Sequence, residues 1–303
     1  MWNKPWKLKE GFLIGGGLLV VGLLLQIAVG PVHWERLAFP ANVILLGIGL
    51  AAIAVMYALR KKVYLFEWLM HTGASVPAIC YALGLTIVMG LVAQVDEGGI
   101  PWLSHMLTFW PFVLAYAWMM VIVGLVCLNH LLHFNLKEIP FLLNHLGVFL
   151  ALVCGALGSP DKRELLMTLE EGQTQSKAED ESGKVYDLDL SVELHDFIME
   201  EYPLQPGMRM RMPKRFASEV TVHTKQGKSV DATIDVNKPL KLNGWVFYQY
   251  DYDSEAGTES KVSVLQMVKD PWLPFVYAGI YMMLAGAVTL IFFMAPRPKR
   301  KEE

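Results

Sequence analysis

The side chains here with the richest chemistry are eight histidines and three cysteines. A neutral imidazole offers a nitrogen lone pair to a metal and titrates near neutrality. One histidine stands apart from the others. His145 lies in Pro140-Phe-Leu-Leu-Asn-His145-Leu-Gly-Val-Phe-Leu, about a turn and a half into an apolar run. A ligating or ionisable residue inside hydrocarbon is a functional candidate by default, because polar groups are expensive there. Two roles suit it. One is axial ligation of a metal, haem iron being the metal that imidazole commonly holds in such surroundings. The other is helix packing, with a hydrogen bond to a neighbour such as Asn144 or to a carbonyl.

His105, beside Trp102 and Trp110, is the second candidate ligand, though an interfacial belt residue would also be histidine or tryptophan there. His71, His130 and His133 flank apolar runs and suit headgroup contacts. His33 falls in a short loop, and His195 and His223 in a polar segment, as ordinary surface positions. Cys80, Cys127 and Cys154 all fall within apolar runs with no Cys-x-x-Cys pair, so dithiol redox chemistry has no residues to use and they read as small apolar filler. No HExxH motif, paired carboxylates, Ser/His/Asp set or phosphate-cradling loop can be assembled. Gly15–Gly17 lies within an apolar run and suits close helix packing. Trp110 and Trp118 fall on one helix face, as a packing stripe would place them. Trp2, Trp6, Trp34, Trp68 and Trp272 sit near the ends of runs, as an aromatic belt requires.

The elements that position these residues are set by charge depletion. The chain has 303 residues, 54% hydrophobic and 18% charged, where a soluble domain carries about 25% charged. Six stretches lack charge: Phe12–Val29, Ala41–Leu59, Ala78–Val95, Leu107–Leu128, Phe141–Leu157 and Pro274–Met294. Each approaches the roughly 17–25 residues a helix needs to cross a bilayer. The first is too long for a signal-peptide core and is soon followed by another, so it reads as a retained span. The chain is thus a polytopic α-helical membrane protein with six transmembrane helices. A soluble enzyme, a secreted disulfide scaffold and a nucleic-acid binder are excluded.

Lys4, Lys7, Lys9, Arg60, Lys61, Lys62, Lys137, Arg297, Lys299, Arg300 and Lys301 all fall on one side of this topology, and only Arg36 on the other. The positive-inside rule then makes both termini cytoplasmic. The long segment between helices five and six is extracytoplasmic. It holds 14 basic and 20 acidic residues and breaks into short runs: Leu165–Leu169, Val185–Leu194, Phe216–Thr224, Ser229–Val236, Trp245–Tyr252 and Lys261–Val268. Several alternate in the manner of strands. Asn243-Gly244 and Gln226–Lys228 suit hairpin turns. This predicts an extracytoplasmic β-sandwich-like domain, with Glu171–Gly183 a polar mobile loop. The expected organisation is a membrane bundle over 1–157 (an N-terminal pair, 1–76, then 77–157), a β-rich domain over 158–269, and a sixth span with a basic tail over 270–303.

Three stretches resemble the ResB (CcsB) family of system II cytochrome c biogenesis. The first is Asn144-His145-Leu-Gly-Val-Phe-Leu-Ala-Leu-Val-Cys-Gly155-Ala-Leu-Gly, followed by Leu169-Glu-Glu171-Gly172-Gln173. The second runs from Pro203 to Val222, with Phe216-Ala-Ser-Glu-Val-Thr-Val. The third, the most specific, is Ile234-Asp-Val-Asn237-Lys-Pro239-Leu-Lys-Leu-Asn-Gly244-Trp-Val-Phe-Tyr248-Gln249, continuing through Tyr252-Asp253 to Asp270-Pro271 and Gly279. Order and spacing agree over Pro77–Ile291, about 70% of the chain. The first two spans have no counterpart in typical members.

The resemblance implies a subunit of a cytochrome c synthase complex in the bacterial inner membrane, either non-catalytic or co-catalytic in the haem lyase reaction. Such a subunit carries haem b across the membrane and presents it for attachment to apocytochrome c at Cys-x-x-Cys-His. The family's His-Leu helix supplies an axial ligand to haem iron, which falls on His145. The second ligand is expected from a CcsA-type partner, whose tryptophan-rich motif and outer histidine pair are absent from this chain. Proteins of a thiol-reducing pathway and membrane lipids are further expected partners. The alternative is a structural scaffold that positions CcsA and apocytochrome without binding haem. An unrelated transporter is disfavoured, since the charge-free spans offer no carboxylate for ion coupling.

Overall fold

Charge-free runs in this chain become helices because a backbone in hydrocarbon must satisfy its own hydrogen bonds. The computed structural model describes residues 3–95, 98–204 and 211–294. Trp2 and the basic residues Arg297–Lys301 lie outside the described residues. The chain divides into two compact units, Met1–Pro160 with Trp272–Glu303, and Asp161–Pro271.

The first unit holds α1 (Leu8–Val29), α2 (Ala41–Leu59), a single turn α3 (Tyr64–Trp68), α4 (Thr72–Leu91), α5 (Trp110–Leu132), α6 (Ile139–Gly158) and α7 (Leu273–Met294). Six of these, all but α3, are long and apolar enough to cross a membrane. Their outward faces carry exposed Leu24, Ile27, Leu91 and Ile291, side chains that only lipid would solvate at low cost. α5 packs against α1, α2, α4 and α6, and buries Phe112, Ala115, Trp118, Ile122 and Leu125. The third long helix differs from the charge-free run Ala78–Val95: it begins six residues earlier and includes Pro77. Its small first-turn residues explain this, since Gly73 and Ala74 are buried and permit a close approach to α1 and Trp68. Trp68 is wholly buried and meets Trp6 edge-on at 5.4 Å, so this pair packs the interior rather than forming a belt.

In the second unit eight antiparallel strands form one continuous sheet, in the order β5-β4-β3-β2-β1-β8-β7-β6. They are β1 (Arg163–Glu170), β2 (Thr174–Glu179), β3 (Val185–Glu201), β4 (Pro213–Thr224), β5 (Ser229–Asp235), β6 (Leu240–Leu242), β7 (Trp245–Tyr252) and β8 (Val262–Lys269). In chain order they follow α6 and precede α7. The sheet curls onto itself: Ser218 on β4 donates to Gln249 Oε1 on β7 at 2.6 Å, and all the side chains of this network, with Ser263, are buried. Met167, Leu169, Val192, Leu194, Val222, Phe247 and Leu265 fill the interior.

Asn243 and Gly244 both have positive φ, the requirement of a type I′ hairpin, and they join β6 to β7. Gly227, also at positive φ, closes the β4–β5 hairpin. The predicted mobile loop Glu171–Gly183 instead contains a strand, β2 (Thr174–Glu179). β2 pairs with both β1 and β3, burying only Ala178. Strand pairing satisfies backbone groups whatever the side chains, so a polar segment held between two neighbours needs little apolar content.

Candidate functional site

α5 and α6 are joined by a tight turn whose residues set the geometry of the histidines. Asn135 accepts a hydrogen bond from Lys137 N at 3.0 Å and starts a 3₁₀ turn, Leu136–Glu138. Pro140 occupies the first turn of α6, where its missing N–H costs nothing. The turn brings Glu138 back beside His130, with Nδ1 to Oε2 at 2.8 Å.

Phe141 then packs against His130, the rings tilted by 33° with centroids 4.1 Å apart, and stacks on His145, centroids 3.8 Å apart. Two rings cannot share one face of a phenyl group at these separations without overlapping. Phe141 therefore lies between the two imidazoles. His145 Nδ1 lies 2.9 Å from the carbonyl oxygen of Phe141. A carbonyl only accepts, so Nδ1 carries the proton and Nε2 of the neutral ring bears the lone pair. Among the described residues Nε2 has no hydrogen-bond partner. The same arrangement holds at His133, whose Nδ1 donates to Asn129 O at 2.9 Å. The packing role expected as an alternative thus takes the carbonyl, while Asn144 donates to Pro140 O at 2.8 Å.

The position of His145 follows from the two faces of α6. Phe141, His145 and Phe149 are four residues apart and form the stripe toward α5, where a Cβ on Gly124 would meet Phe149 at 3.0 Å. Asn144, Gly147 and Ala151 form the stripe toward α7. A Cβ at Gly147 would lie 2.6 Å from Gly279 O, and one at Gly279 would lie 2.6 Å from Gly147 O. This close crossing fixes the rotation of α6, and with it the side to which His145 projects.

Nearby groups are cationic or polar. Tyr57 Oη donates to Asn129 Oδ1 at 3.2 Å, tying the end of α2 to the end of α5. The Arg60 guanidinium lies 3.7 Å above the Tyr57 ring. Arg60 therefore shares this end of the bundle with His130 and His133, as does Lys137 of the turn.

His105 is exposed on the 3₁₀ segment Leu103–Thr108, before α5 begins. Twenty-three residues of α5 span about 35 Å at 1.5 Å each, so His105 and His145 are at opposite ends and are not brought together. Trp110 near His105 is a latch: its Nε1 donates to Gly30 O at 3.0 Å, and its N–H donates to Gln26 Oε1 at 3.1 Å. Buried Gln26, within an apolar helix, gave no signal beyond its polarity. The sequence reads His130 as a headgroup residue and does not single out Glu138, which pairs with it; their eight-residue spacing across a helix break was the available signal.

In the β unit, Thr221 Oγ1 donates to Asp231 Oδ1 and lies 2.6 Å from His195 Nε2. His223 Nδ1 is 2.8 Å from Ser229 Oγ. Arg215 Nε donates to Asp235 Oδ1 at 2.5 Å and its Nη1 to Glu200 Oε1 at 3.2 Å, and these bonds hold both carboxyls below their ordinary range. Glu200 is held down first by its bond from Lys214. No group of three or more His, Cys, Asp or Glu is placed to hold a metal ion among the described residues.

Residues 135–263 match the ResB-like family, so the resemblance carried by the His-Leu helix and the Val-Asn-x-Pro stretch holds there. The matched stretch takes in α6 and most of the β unit. Among solved structures, one described as cytochrome c heme lyase CcmF is similar at 13% identity, with a TM-score of 0.37. The similarity covers 96% of this chain and 46% of that one, so the chain spans about half its length. No curated protein matches the chain in sequence.

Proposed function

We propose that this protein is the ResB-like subunit of a system II cytochrome c synthase, and that His145 Nε2 is an axial ligand of haem in transit. The observation that carries this is the bond from His145 Nδ1 to Phe141 O. It fixes the tautomer and orientation of the ring, the usual device for presenting imidazole to a metal. The match over residues 135–263 supports the family assignment on which haem rests. The surroundings suit the cargo: Phe141 and Phe149 are apolar, and Arg60 offers a cation toward propionates at the same end.

On this reading both termini and the His130–His145 end face the cytoplasm, and the β domain lies outside. Haem arrives from the cytoplasmic leaflet and is held by His145 with a ligand from a CcsA-type partner. The partner then presents it to the Cys-x-x-Cys-His of apocytochrome c. His105, at the far end of α5, would meet haem only at the outer face. Imidazole ligation at both axial positions keeps iron low-spin and screens it from oxygen. The test is the haem content and absorption spectrum of the complex purified with His145→Ala. Loss of haem or a high-spin spectrum is expected. An unchanged spectrum would leave the chain as a scaffold for its partner, with ligation wholly elsewhere.

A further inference from the structure

The assignment of His145 leaves a second imidazole unexplained. His130 is half-buried at the end of α5, and its Nδ1 is committed to Glu138 Oε2 at 2.8 Å. A carboxylate on Nδ1 fixes the orientation of an imidazole, the arrangement common behind metal-bound histidine. Among the described residues His130 Nε2 has no partner. A histidine placed only to meet lipid headgroups would need neither a fixed ring nor a carboxylate behind it.

The two imidazoles do not converge. With Phe141 between them, centroids 4.1 and 3.8 Å away, the rings are separated by roughly the thickness of a third ring on each side. Ligand lone pairs lie in the ring planes and so run across the stack rather than along it. Each Nε2 therefore addresses a different point, and one iron cannot take both while the stack stands.

We propose that His130, oriented by Glu138, is a second haem-iron ligand within this chain, used before His145 rather than together with it. The proposal rests on the reading of the protein as a haem carrier. His130 belongs to the last turn of α5 and touches the interhelical turn, whereas His145 lies one turn beyond Phe141 into α6. Haem would be taken first on His130 and exchanged to His145, in each case at the Nε2 edge of the imidazole, because both faces of Phe141 are covered by the two rings. The exchange is a ligand substitution at iron: one Fe–N bond breaks as another forms, and no electron or proton need move.

The experiment uses the full chain in detergent, titrated with ferrous haem b, and reads stoichiometry, affinity and absorption spectrum. His145→Ala should still bind haem, with altered spectrum, and His130→Ala/His145→Ala should lose that fraction. Glu138→Gln, introduced into His145→Ala, should weaken the remaining binding about 10- to 100-fold, the usual effect of removing such a carboxylate. In stopped-flow mixing, His130→Ala alone should slow haem uptake while leaving the final spectrum unchanged. Millimolar imidazole should restore binding to the double variant, which a misfolded protein cannot show; failure of that restoration counts against the proposal. The proposal is overturned if His145→Ala binds no haem, or if it and the double variant bind alike. If His145→Ala instead matches the unaltered chain while the double variant loses haem, His130 stands as a ligand and the assignment of His145 falls.

Discussion

The imidazole of His145 is held twice by Phe141, four residues before it: ring against ring at 3.8 Å, and Nδ1 to that residue's own carbonyl oxygen at 2.9 Å. The hydrogen bond comes from the backbone and survives substitution of the side chain; the stack does not. Phe141→Leu should therefore keep the tautomer and lose only the ring contact, worth about 0.5–1.5 kcal/mol. Haem affinity in a spectral titration should fall by between about 2- and 10-fold, with the low-spin spectrum kept. Loss of the low-spin spectrum would show that Phe141 does more than orient the ring.

The α6–α7 crossing positions the site from the other side. Gly147 and Gly279 each leave no room for a Cβ against the other's carbonyl oxygen. Gly147→Ala should push the helices apart at a cost of about 1–3 kcal/mol, lower the thermal unfolding temperature in detergent and loosen haem. Gly47→Ala is the comparison, because a Cβ there meets nothing within 4 Å. It should be neutral or, through helix propensity, slightly stabilising.

The ion-pair cluster of the β unit predicts a pH dependence. Asp235 and Glu200 have their carboxyl pKa values lowered in the folded protein, by Arg215 and by Lys214 with Arg215 respectively. A group whose folded pKa is depressed stabilises above its unfolded pKa, and this is lost as pH falls through the folded value. The stabilisation should thus be complete at neutral pH and decline below about pH 4, the ordinary carboxylate range. Asp235→Asn removes this contribution. The difference in unfolding temperature between the unaltered chain and Asp235→Asn should be present at pH 7 and shrink toward pH 3. A difference that is constant with pH would mean that the Arg215 pair contributes nothing through charge.

How legible these features were depends on whether their cause is local. The six apolar helices follow from runs of residues, and the β6–β7 hairpin follows from Asn243-Gly244, two residue types that tolerate positive φ. β2 was missed because its pairing is decided by β1 and β3, not by Thr174–Glu179 themselves. α4 starts early because Gly73 fits against α1, a fact about another helix. His145 was conspicuous by being polar in an apolar run, a property of sequence alone. The significance of His130 is not local: Glu138 and Phe141 reach it only after Asn135 and Pro140 turn the chain, and neither partner marks the histidine in the linear order. The continuous curled sheet was equally hidden, since alternation identifies strands without saying whether they form one sheet or two.

The buried polar network of that sheet gives a prediction with a definite sign. Ser218 Oγ donates to Gln249 Oε1 at 2.6 Å and lies 2.7 Å from Ser263 Oγ; Gln249 Nε2 donates to Asp251 O at 3.0 Å. All three side chains of the triangle are buried, so a missing member leaves its partners without water to replace it. Ser218→Ala should therefore destabilise the β unit by about 1–3 kcal/mol, the penalty for an unsatisfied buried group. Ser218→Ala with Gln249→Leu and Ser263→Ala removes every polar atom of the triangle at once. Urea unfolding of the full chain, followed by tryptophan fluorescence at Trp245 on β7 with the other tryptophans held constant between variants, reads the difference. The triple variant should recover part of the stability lost in Ser218→Ala, because replacing all partners together leaves nothing unsatisfied. If the losses instead add from single to triple variant, the network stabilises the curl of the sheet through its bonds, and burial of unpaired groups is not what Ser218 prevents.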